Sequence, residues 1–596
     1  EVNVHKATTR PTGVIKMLMD ETSPDAKEEK KRHEEKEERK IKNISTEKEA
    51  WKHINRYRKK REGIDEEIEL GNWKKHFMDL LGGKEEKMTW HQEEEENRRD
   101  VGEENLEEEA TELTTEELYI QWRELKLGKA PGEDGIENEA WKYVPGEVGE
   151  VLVRLLNGVW KHGKLPGDWN KGIICPIFKK GDKSEVGNYR GVTLLNTAYK
   201  MYASILNNRL MEATEEKLRE TQFGFRKGRG TVDAIYVLNY VVNKELSRKR
   251  GKVFAFFADL KAAFDRVDRQ ELNRMVKHIG VDDHLRRRVM ESYRETKNTV
   301  RIGERRTEDF WTERGVRQGC PMSPTLFNIY VMDLEEEMKK EQVGGVTVGR
   351  EKFWTISYAD DMVLVAKSEE ELKGMINRFK RYLEKKNMLL STEKSKILVF
   401  EDGRGRKKKR EWRWGDQSIE EVKEIKYLGY ILQKNGGTEK HIVERYKRAT
   451  VAMKKTWSIG ERLFKDDYAR RVKMFEALVG SIALYGAEIW GWTNEARLDR
   501  IKRKYTKWVL GLDTTTPNYI LKEETKMKEI RIEALKRALK YEEKARNSEK
   551  KLVAECIKDL DRERVAREES KWEAARSTFF RGIGMEREVR KERDKN

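Results

Sequence analysis

Two adjacent carboxylates lie at the centre of the segment FWTISYADDMVLVAK, residues 353–367. Apolar residues alternate before Asp360 and Asp361 and run on after them, a pattern that predicts a strand, a tight turn and a second strand. A turn alone would explain the acids, because Asp side chains accept hydrogen bonds from the local backbone. Catalytic chemistry becomes the better explanation if a third carboxylate lies beside the pair.

Asp259 is the candidate for that third carboxylate. It ends an apolar run at 253–258 (VFAFFA), which predicts a buried strand, and residues 260–275 after it predict an amphipathic helix. If the strand pairs beside the hairpin, Asp259 and Asp360 meet at one edge of a sheet. Clustered carboxylates repel each other and stay ionised together only with a cation, and their hard oxygens favour magnesium (Mg2+). The predicted chemistry is phosphoryl transfer with two metal ions about 4 Å apart.

Elements upstream of these acids could hold an anionic substrate. Glycines and prolines at 128–135 predict a loop, and GIICPIF at 172–178 predicts a strand that leads into the basic turn KKGDK. The cations that could form an anion-binding surface there are Lys179, Lys180, Lys183 and Arg190. Basic residues in turns are often only solvated, so both interpretations stay open.

The segment QFGFRKGRGTVDAI, residues 222–235, interleaves aromatic and cationic side chains around glycines. Such a mixture suits stacking on bases and holding phosphates, which makes Arg226 a candidate contact for primer or template. A loop that packs Phe223 and Phe225 inward would have the same composition.

The segment RGVRQGCPMSPTLFNIYVMDLEEEM, residues 314–338, combines a loop with a helix start. Gly319 allows a close backbone approach, and Pro324 predicts the first turn of a helix with a buried apolar face. Further on, residues 391–400 (STEKSKILVF) predict a strand that Lys394 precedes.

The chain becomes more basic and then more helical after this strand. The run RGRKKKR at 404–410 suits a nucleic-acid contact, a nuclear-targeting patch or an exposed loop. Residues 425–432 (IKYLGYIL) predict a strand broken by Gly429. From residue 441 onward the composition is predominantly helical, and the aromatic cluster LYGAEIWGW at 484–492 is predicted to be core.

The composition favours a polyanionic partner. The formal net charge is +17 and 39% of the residues are charged, although a charge-rich helical surface would give the same balance. No apolar run approaches the roughly 18 residues of a membrane span, so we expect no membrane partner. Cys175, Cys320 and Cys556 lie far apart and form neither a disulfide framework nor a zinc knuckle, which fits a reducing nuclear or cytoplasmic setting.

Seven short motifs occur in a fixed order along the chain: KAPGEDGI, PIFKKGD with NYRGVTLLN, QFGFRKGRGT, FADLKAAFD, RQGCPMSP, YADD, and EKSK followed by YLG. In this order they closely resemble the reverse transcriptase region of LINE-type, or non-long-terminal-repeat (non-LTR), retrotransposons, over roughly residues 111–525. The resemblance implies an α+β right-hand polymerase fold with fingers, a palm built on an antiparallel sheet, and a helical thumb.

The resemblance also implies a domain organisation. Residues 1–110 contain charged runs at 26–43 and 93–117 and are predicted to be largely helical or disordered. Fingers and palm would occupy 111–440, and a helical thumb with a C-terminal extension would occupy 441–596.

The resemblance implies roles for the matched residues around the acids. Asp259 and Asp360 would hold the magnesium ions, and Asp361 would complete an acidic triad. Lys394 matches a lysine that protonates the departing pyrophosphate. Phe264 matches a bulky steric gate whose ring would clash with a ribose 2′-hydroxyl, so the substrates would be deoxynucleotides.

Further residues are implied to contact substrates. Arg190, Gln318 and Gly319 would lie at the incoming nucleotide, and Tyr427, Leu428 and Gly429 would grip the primer. The implied partners are an RNA template, a DNA primer or RNA–DNA hybrid, and dNTPs. A positive thumb and fingers would hold the hybrid through its backbone.

The chain departs from the family pattern at three places. Gly191 replaces a usual proline and is predicted to loosen its loop, and Asn387 and Met388 replace a usual Gly-Leu pair, where Asn tolerates a left-handed turn. Only about a hundred residues precede the motifs, fewer than the family's N-terminal nuclease needs at ordinary domain sizes. Three cysteines cannot supply the family's other, cysteine-rich nuclease. We therefore expect a polymerase without its own DNA-nicking domain, for which a nuclease in trans is a candidate partner.

The sequence thus predicts an RNA-directed DNA polymerase of a non-LTR retrotransposon. One alternative is a catalytically inactive or repurposed remnant that binds nucleic acid. Another is an RNA-dependent RNA polymerase, which shares the paired-aspartate hairpin. Phe264 argues against the latter, because an RNA polymerase must admit the 2′-hydroxyl at that place.

Overall fold

The structure is a computed structural model that describes residues 64–65, 67–86, 111–143, 146–402, 410–561 and 569–582. The charged run at 26–43, most of the acidic run at 93–117, and all but the last residue of the basic run at 404–410 lie outside these ranges. Within the described ranges, no helix is both long enough and apolar enough to span a membrane.

Helices account for about half of the described chain. Their bounds are α1 Leu70–Leu81, α2 Thr115–Glu124, α3 Asn138–Lys142, α4 Gly146–His162, α5 Thr197–Thr214, α6 Thr231–Leu246, α7 Arg269–His278, α8 Asp283–Arg294, α9 Ser323–Tyr330, α10 Leu334–Lys339, α11 Glu369–Lys385, α12 Glu439–Leu463, α13 Tyr468–Phe475, α14 Ser481–Ala483, α15 Ala487–Trp490, α16 Arg497–Val509, α17 Asn518–Thr525, α18 Ile530–Arg546, α19 Lys551–Asp561 and α20 Lys571–Gly582.

The strands fall into two main sheets and three short hairpins. Their bounds are β1 Gly83–Lys84, β2 Lys171–Phe178, β3 Tyr189–Leu194, β4 Val253–Asp259, β5 Thr296–Ile302, β6 Arg305–Arg306, β7 Phe310–Thr312, β8 Val346–Val348, β9 Glu351–Phe353, β10 Thr355–Tyr358, β11 Asp361–Ala366, β12 Lys396–Phe400, β13 Arg413–Trp414, β14 Gln417–Ser418, β15 Glu420–Val422, β16 Glu424–Tyr427 and β17 Tyr430–Gln433. Helices and mixed sheets together make an α+β fold, as the sequence predicts.

The five-stranded sheet has the order β10-β11-β4-β12-β15. Its central strand β4 is buried on both faces: Phe254 and Phe256 belong to a core shared with α11, and Ala255 and Phe257 belong to a second core shared with α6. A strand covered on both sides needs apolar residues at every position rather than at alternate ones. This explains the unbroken apolar run that ends at Asp259.

The six-stranded sheet has the order β1-β7-β5-β2-β3, with β6 beside β5. Its outer strand β1 and the helix α1 come from the N-terminal 110 residues, and Trp73 and Phe77 of α1 are fully buried against the sheet. Residues 70–84 are therefore structurally part of this sheet.

Two local predictions need correction. The helix after Asp259 begins only at Arg269, because Ala262 takes a left-handed conformation (φ 49°) and Asp268 accepts backbone N–H bonds from Gln270 and Glu271 as the helix cap. The segment 425–432 is a hairpin of β16 and β17 turning at Leu428 and Gly429, which both have positive φ.

Other local predictions are confirmed. Pro324 lies in the first turn of α9, and Asn387 adopts the predicted left-handed conformation (φ 52°). The aromatic cluster at 484–492 is core, since Ile489 and Trp490 have no exposed surface.

The last helices fold back onto α6 through buried ion pairs. Arg576 of α20 contacts Glu542 of α18 at 2.8 Å, and Tyr236 of α6 donates a hydrogen bond to the same carboxylate. Lys550 pairs with Asp233 at the start of α6 at 2.9 Å. Losing one partner of a buried pair would leave an uncompensated charge, so these contacts define how the C-terminal helices pack.

Candidate active site

The paired carboxylates lie at the tip of the β10–β11 hairpin, as predicted. Ala359 takes a left-handed conformation (φ 59°) in the turn, Asp360 follows it, and Asp361 begins β11. Gly224 backs the turn so closely that a Cβ there would lie 2.4 Å from the Ala359 nitrogen. The backbone of Phe223 also donates to the Ser357 carbonyl at 2.8 Å. The QFGF segment therefore braces the hairpin.

Asp259 joins this pair at the end of β4. Strand β11 runs antiparallel to β4 with Asp361 directly opposite Asp259, and directly opposed residues in such a pair have their Cβ atoms about 5 Å apart. The backbone N–H of Asp259 donates to Ser395 Oγ at 3.0 Å, so the segment before β12 also holds this strand end. The structure thus confirms that the three carboxylates meet at one edge of the sheet.

Crowding raises the pKa of two of these acids. Burial, with a contribution from Asp259, raises the pKa of Asp360, while Arg190 and Lys179 partly oppose the shift. Asp361 touches solvent on one side, but loss of hydration, and repulsion from Asp360 and Asp259, raise its pKa to about 6. The ionised cluster is therefore electrostatically unfavourable without a cation.

The donor set fits magnesium. Within the described ranges, no group of three or more His, Cys, Asp or Glu side chains is arranged to hold a metal by protein ligands alone. Magnesium does not require such a cage, because it keeps several waters and binds through one or two carboxylates plus substrate phosphates. Asp259 and Asp360 could supply those carboxylates.

Three cations surround the acids. The Lys394 ammonium lies 3.8 Å from Asp259 Oδ1, and both side chains are about half exposed. Loss of hydration lowers the pKa of Lys179, as do Arg190 and Lys394, which places these three cations close together. Lys179 was only a weak candidate in the sequence, where a basic turn does not reveal which of its residues faces the acids.

Phe264 stands beside the acids in a row of aromatic rings. Its ring stacks on Phe327 of α9 with 4.6 Å between the centroids and an angle of 16° between the planes. Phe225, which is 48% exposed, meets it edge-on at 6.3 Å. Packing on two sides restricts rotation of the Phe264 ring.

Gln318 and Gly319 join the six-stranded sheet to this row. The Gln318 carbonyl accepts from the Thr193 N–H at 2.8 Å, and a Cβ on Gly319 would lie only 2.3 Å from the Thr193 carbonyl oxygen. Gly319 also has φ 144°. The predicted close backbone approach is therefore real, and its partner is β3.

Asp265 is a buried acid that the sequence prediction missed. The Gln318 side-chain amide donates to Asp265 Oδ2 at 2.5 Å. Burial raises the pKa of Asp265 to about 6, although Gln318, Arg190 and Lys179 oppose the shift. The only signal in the sequence was its place directly after Phe264.

Replacing this acid should change how stability depends on pH. The pKa of Asp265 is higher in the folded protein than in the unfolded chain, so the folded state binds the proton more tightly and stability falls as pH rises from about 4 to about 6. We expect Asp265→Asn to remove this loss, gaining about 3 kcal/mol relative to the native chain across that window. Urea unfolding of both proteins from pH 4.5 to 7 measures the difference.

Comparing the unfolding free energies of the native chain and the Asn variant isolates the contribution of Asp265. Glu335, whose pKa burial also raises to about 6, titrates in both proteins and cancels in the difference. Parallel pH profiles for the two proteins would show that Asp265 titrates normally.

The side chain of Arg226, which was predicted to contact primer or template, is buried within its own loop. Its side chain is 3% exposed and pairs with Glu215 at 2.8 Å, and it also donates to the carbonyls of Arg219 and Gln222. These contacts use the guanidinium to hold the loop together. Of the two aromatic residues, Phe223 is buried and Phe225 faces outward.

The hairpin with Tyr427, Leu428 and Gly429 packs against the face of β4 that carries Phe257. The Tyr427 ring packs edge-on against Phe257 at 5.4 Å. The Tyr485 hydroxyl donates to the Leu428 carbonyl and so ties the hairpin turn to the C-terminal helices.

The chain is similar in sequence to known reverse transcriptases. Residues 177–432 match the family "Reverse transcriptase (RNA-dependent DNA polymerase)". The chain is 26% identical over 405 residues to the RNA-directed DNA polymerase from mobile element jockey of Drosophila funebris, a match that covers 65% of this chain and 43% of the relative. It is 28% identical over 268 residues to a Pol polyprotein from retrotransposable element R2 of Popillia japonica, covering 45% of this chain and 36% of the relative.

The chain spans less than half the length of these two relatives. Among solved structures, telomerase from Candida albicans is similar with a TM-score of 0.36 and 12% identity, over 71% of this chain and 66% of that one. The family match includes all three carboxylates, the aromatic row and the Tyr427 hairpin. Over residues 177–432 the chain is therefore similar to reverse transcriptase domains, and its relatives include polymerases of mobile elements.

Proposed function

We propose that the chain is an RNA-directed DNA polymerase, which extends a primer 3′-hydroxyl with dNTPs on an RNA template. The observation that carries the proposal is the meeting of Asp259, Asp360 and Asp361 at one sheet edge inside a reverse transcriptase domain. The same edge is flanked by cations suited to a triphosphate and by an aromatic ring suited to a sugar. All the parts of a nucleotidyl transfer site are thus adjacent.

The acids would act as ligands for two magnesium ions. Asp259 and Asp360 would hold them, and Asp361 would add negative charge beside them. When bound, the metal ions would activate the primer hydroxyl and stabilise charge on the leaving pyrophosphate. The raised pKa values of Asp360 and Asp361 support this role, since a bound cation would favour the ionised carboxylates that burial and neighbouring acids disfavour.

The surrounding cations would bind the triphosphate. Lys179 and Arg190 lie on the side of the acids formed by the six-stranded sheet, where they would neutralise phosphate oxygens. Lys394 would donate a proton to the pyrophosphate as it leaves, because its ammonium already lies 3.8 Å from a metal-binding carboxylate. Gln318, held by Asp265, would line the nascent base pair.

The fold supports a division into fingers, palm and thumb. The six-stranded sheet with α1 would form the fingers, the five-stranded sheet the palm, and the helices from α12 onward the thumb and C-terminal extension. The β16–β17 hairpin, between palm and thumb, would grip the primer. An RNA template with a DNA primer, or an RNA–DNA hybrid, would then lie between fingers and thumb.

Arg445 of α12 supports the primer path. It is 6% exposed, and its Nε and Nη2 have no hydrogen-bond partner among the described residues. Its guanidinium carbon lies 5.5 Å from the centre of the Tyr485 ring, whose hydroxyl donates to Leu428 in the hairpin turn. Unpaired buried donors are costly. Both atoms are shielded from solvent in the free protein, so a backbone phosphate of the primer would satisfy them only after the hairpin moves away from α12.

Removing this guanidinium should weaken hybrid binding. We expect Arg445→Ala to weaken it about equally for all sequences and to reduce the slope of log K against log salt by about 1, because a phosphate contact carries no sequence information. Fluorescence anisotropy with a labelled RNA–DNA hybrid at several salt concentrations measures both. Lys447→Ala, an exposed position two residues on and therefore on another face of the helix, is the matched control.

Either of two outcomes would contradict the assignment of Arg445: an unchanged salt slope, or an equal effect of Lys447→Ala.

The proposed activity is tested by primer extension. The native chain is incubated with magnesium and dNTPs on a primed RNA template, with chelator and rNTP reactions alongside. We expect extension with dNTPs that stops when the chelator is added. Extension with rNTPs instead would indicate an RNA polymerase, and hybrid binding without any extension would indicate an inactive remnant. A nuclease in trans and a nuclear or cytoplasmic location stay predictions.

A further inference from the structure

The helix α1 packs against β3, the strand that carries Arg190. Trp73 meets Tyr189 edge-on with 4.8 Å between ring centroids. Phe77 lies over Gly191, where a Cβ would come within 2.6 Å of the Phe77 ring. The two aromatic residues of α1 thus contact the residues on either side of Arg190.

The geometry of a strand makes the packing of α1 on β3 relevant to the active site. Successive side chains point to opposite faces, so Tyr189 and Gly191 face α1 while Arg190 faces the other way. On that face Arg190 is exposed, and its strand reaches the site directly, because the Thr193 N–H of β3 donates to the Gln318 carbonyl and the Gln318 side chain donates to Asp265. The position of the guanidinium therefore depends on what lies behind the strand.

Gly191 explains why the contact can be so close. It was predicted to loosen its loop, but it lies inside β3, paired with Pro176. A side chain there would clash with Phe77 and also lie 2.9 Å from the Ile174 methyl. The missing side chain is thus the space that the Phe77 ring fills, and the prediction of a looser loop is wrong.

The rest of α1 and its following turn are also fastened to the sheet. Arg314 donates from its backbone and side chain to the carbonyls of Leu81 and Leu80, and β1 pairs with β7. Lys74 of α1 contacts Glu308 at 3.0 Å. Hydrogen bonds, strand pairing and an ion pair therefore hold the helix on the sheet.

We propose that α1 is a positioning element for nucleotide binding, in which Phe77 seated on Gly191 sets the location of the Arg190 guanidinium. The inference rests on the proposed function, since it assigns α1 to the triphosphate site of the same polymerase. Neither Trp73 nor Phe77 would touch the nucleotide. Their effect would pass through β3 alone.

The test is a double-mutant cycle on the full chain, with KM for dNTP, kcat, and Kd for primed template as separate measurements. Phe77→Ala should raise KM for dNTP by roughly tenfold through misplacement of Arg190, with Kd for primed template unchanged. Arg190→Ala should raise KM as well. In the Arg190→Ala background, Phe77→Ala should add no more than about twofold, because its route to the nucleotide has been removed.

A second pair of variants guards against a simple loss of folding. Gly191→Ala inserts a methyl group where the Phe77 ring lies, so it should also raise KM for dNTP, and Phe77→Leu in that background should restore part of the affinity. Lys75→Ala, exposed on the same helix, is the matched control and should leave KM unchanged.

The possible failures can be told apart. Equal multiplication of KM by Phe77→Ala in both backgrounds would overturn the positioning role, as would a loss of kcat or of active protein at constant KM. A native chain that extends no primer would overturn the proposed polymerase function instead.

Discussion

Asp360→Asn is expected to abolish primer extension while leaving binding of the RNA–DNA hybrid nearly unchanged. The substitution keeps the shape of the side chain but removes a charge that would hold a catalytic metal ion. Metal ions supply several kcal/mol of transition-state stabilisation in phosphoryl transfer, which corresponds to a loss of about 10³-fold or more in rate. Hybrid affinity depends instead on backbone contacts spread over the basic surface.

The folded state should not suffer from this change. Burial and the nearby Asp259 raise the pKa of Asp360, so the ionised group is unfavourable in the metal-free protein. The Asn variant should therefore be at least as stable as the native chain near pH 7, and loss of activity cannot then be ascribed to unfolding. Thermal unfolding without metal, in parallel with single-turnover extension, measures both effects.

Asp416→Asn is the matched control for this experiment. Asp416 is exposed in the turn between β13 and β14. It lies on none of the strands that carry the three carboxylates, so its replacement should leave primer extension unchanged. Normal extension by the Asp360 variant would show that the acids at the hairpin are not the metal site. If the native chain also fails to extend the primer but still binds the hybrid, the result would favour a catalytically inactive remnant.

Phe264→Val is expected to relax discrimination against ribonucleotides by about 10²-fold, the range that steric fit in a pocket can provide. The ring is held by stacking on Phe327 at 4.6 Å and by the edge of Phe225. A ring fixed in this way cannot turn aside to admit a 2′-hydroxyl, whereas valine leaves room for it. The measurement is the ratio of kcat/KM for a dNTP to that for the matching rNTP.

A graded series makes this prediction sharper. Phe327→Leu keeps the Phe264 ring but removes its stacking partner, so selectivity should fall by less than in Phe264→Val. Phe264→Ala should relax selectivity as far as valine does, at a greater loss of stability because alanine leaves a larger cavity beside Phe327. An unchanged dNTP/rNTP ratio in Phe264→Val would place the sugar elsewhere.

Local sequence patterns were sufficient for the catalytic strands. The apolar run before Asp259 and the alternation around Asp360 each reflect short-range rules of strand and turn formation, and both strands form where predicted. The order of the motifs then indicated the resemblance to reverse transcriptases. The same rules failed just after Asp259, where one left-handed residue, Ala262, delays the helix to Arg269.

The local rules of strand and turn formation could not predict which way a side chain points. Arg226 and Arg190 are both basic residues near glycines, yet one pairs internally with Glu215 and the other is exposed beside the acids. Asp265 and Lys179 carried no distinctive spacing, and only packing against Gln318 and Arg190 reveals them.

The sequence by itself determined which residues can do chemistry here and which strands carry them, because hydrophobic periodicity and turn propensity act over a few neighbouring residues. Only the tertiary structure decided what lies behind those strands. The seating of Phe77 on Gly191 joins residues more than a hundred positions apart, and it depends on a clearance of a few ångströms between a ring and a backbone. Such long-range packing is set by the whole fold, and no local pattern encodes it.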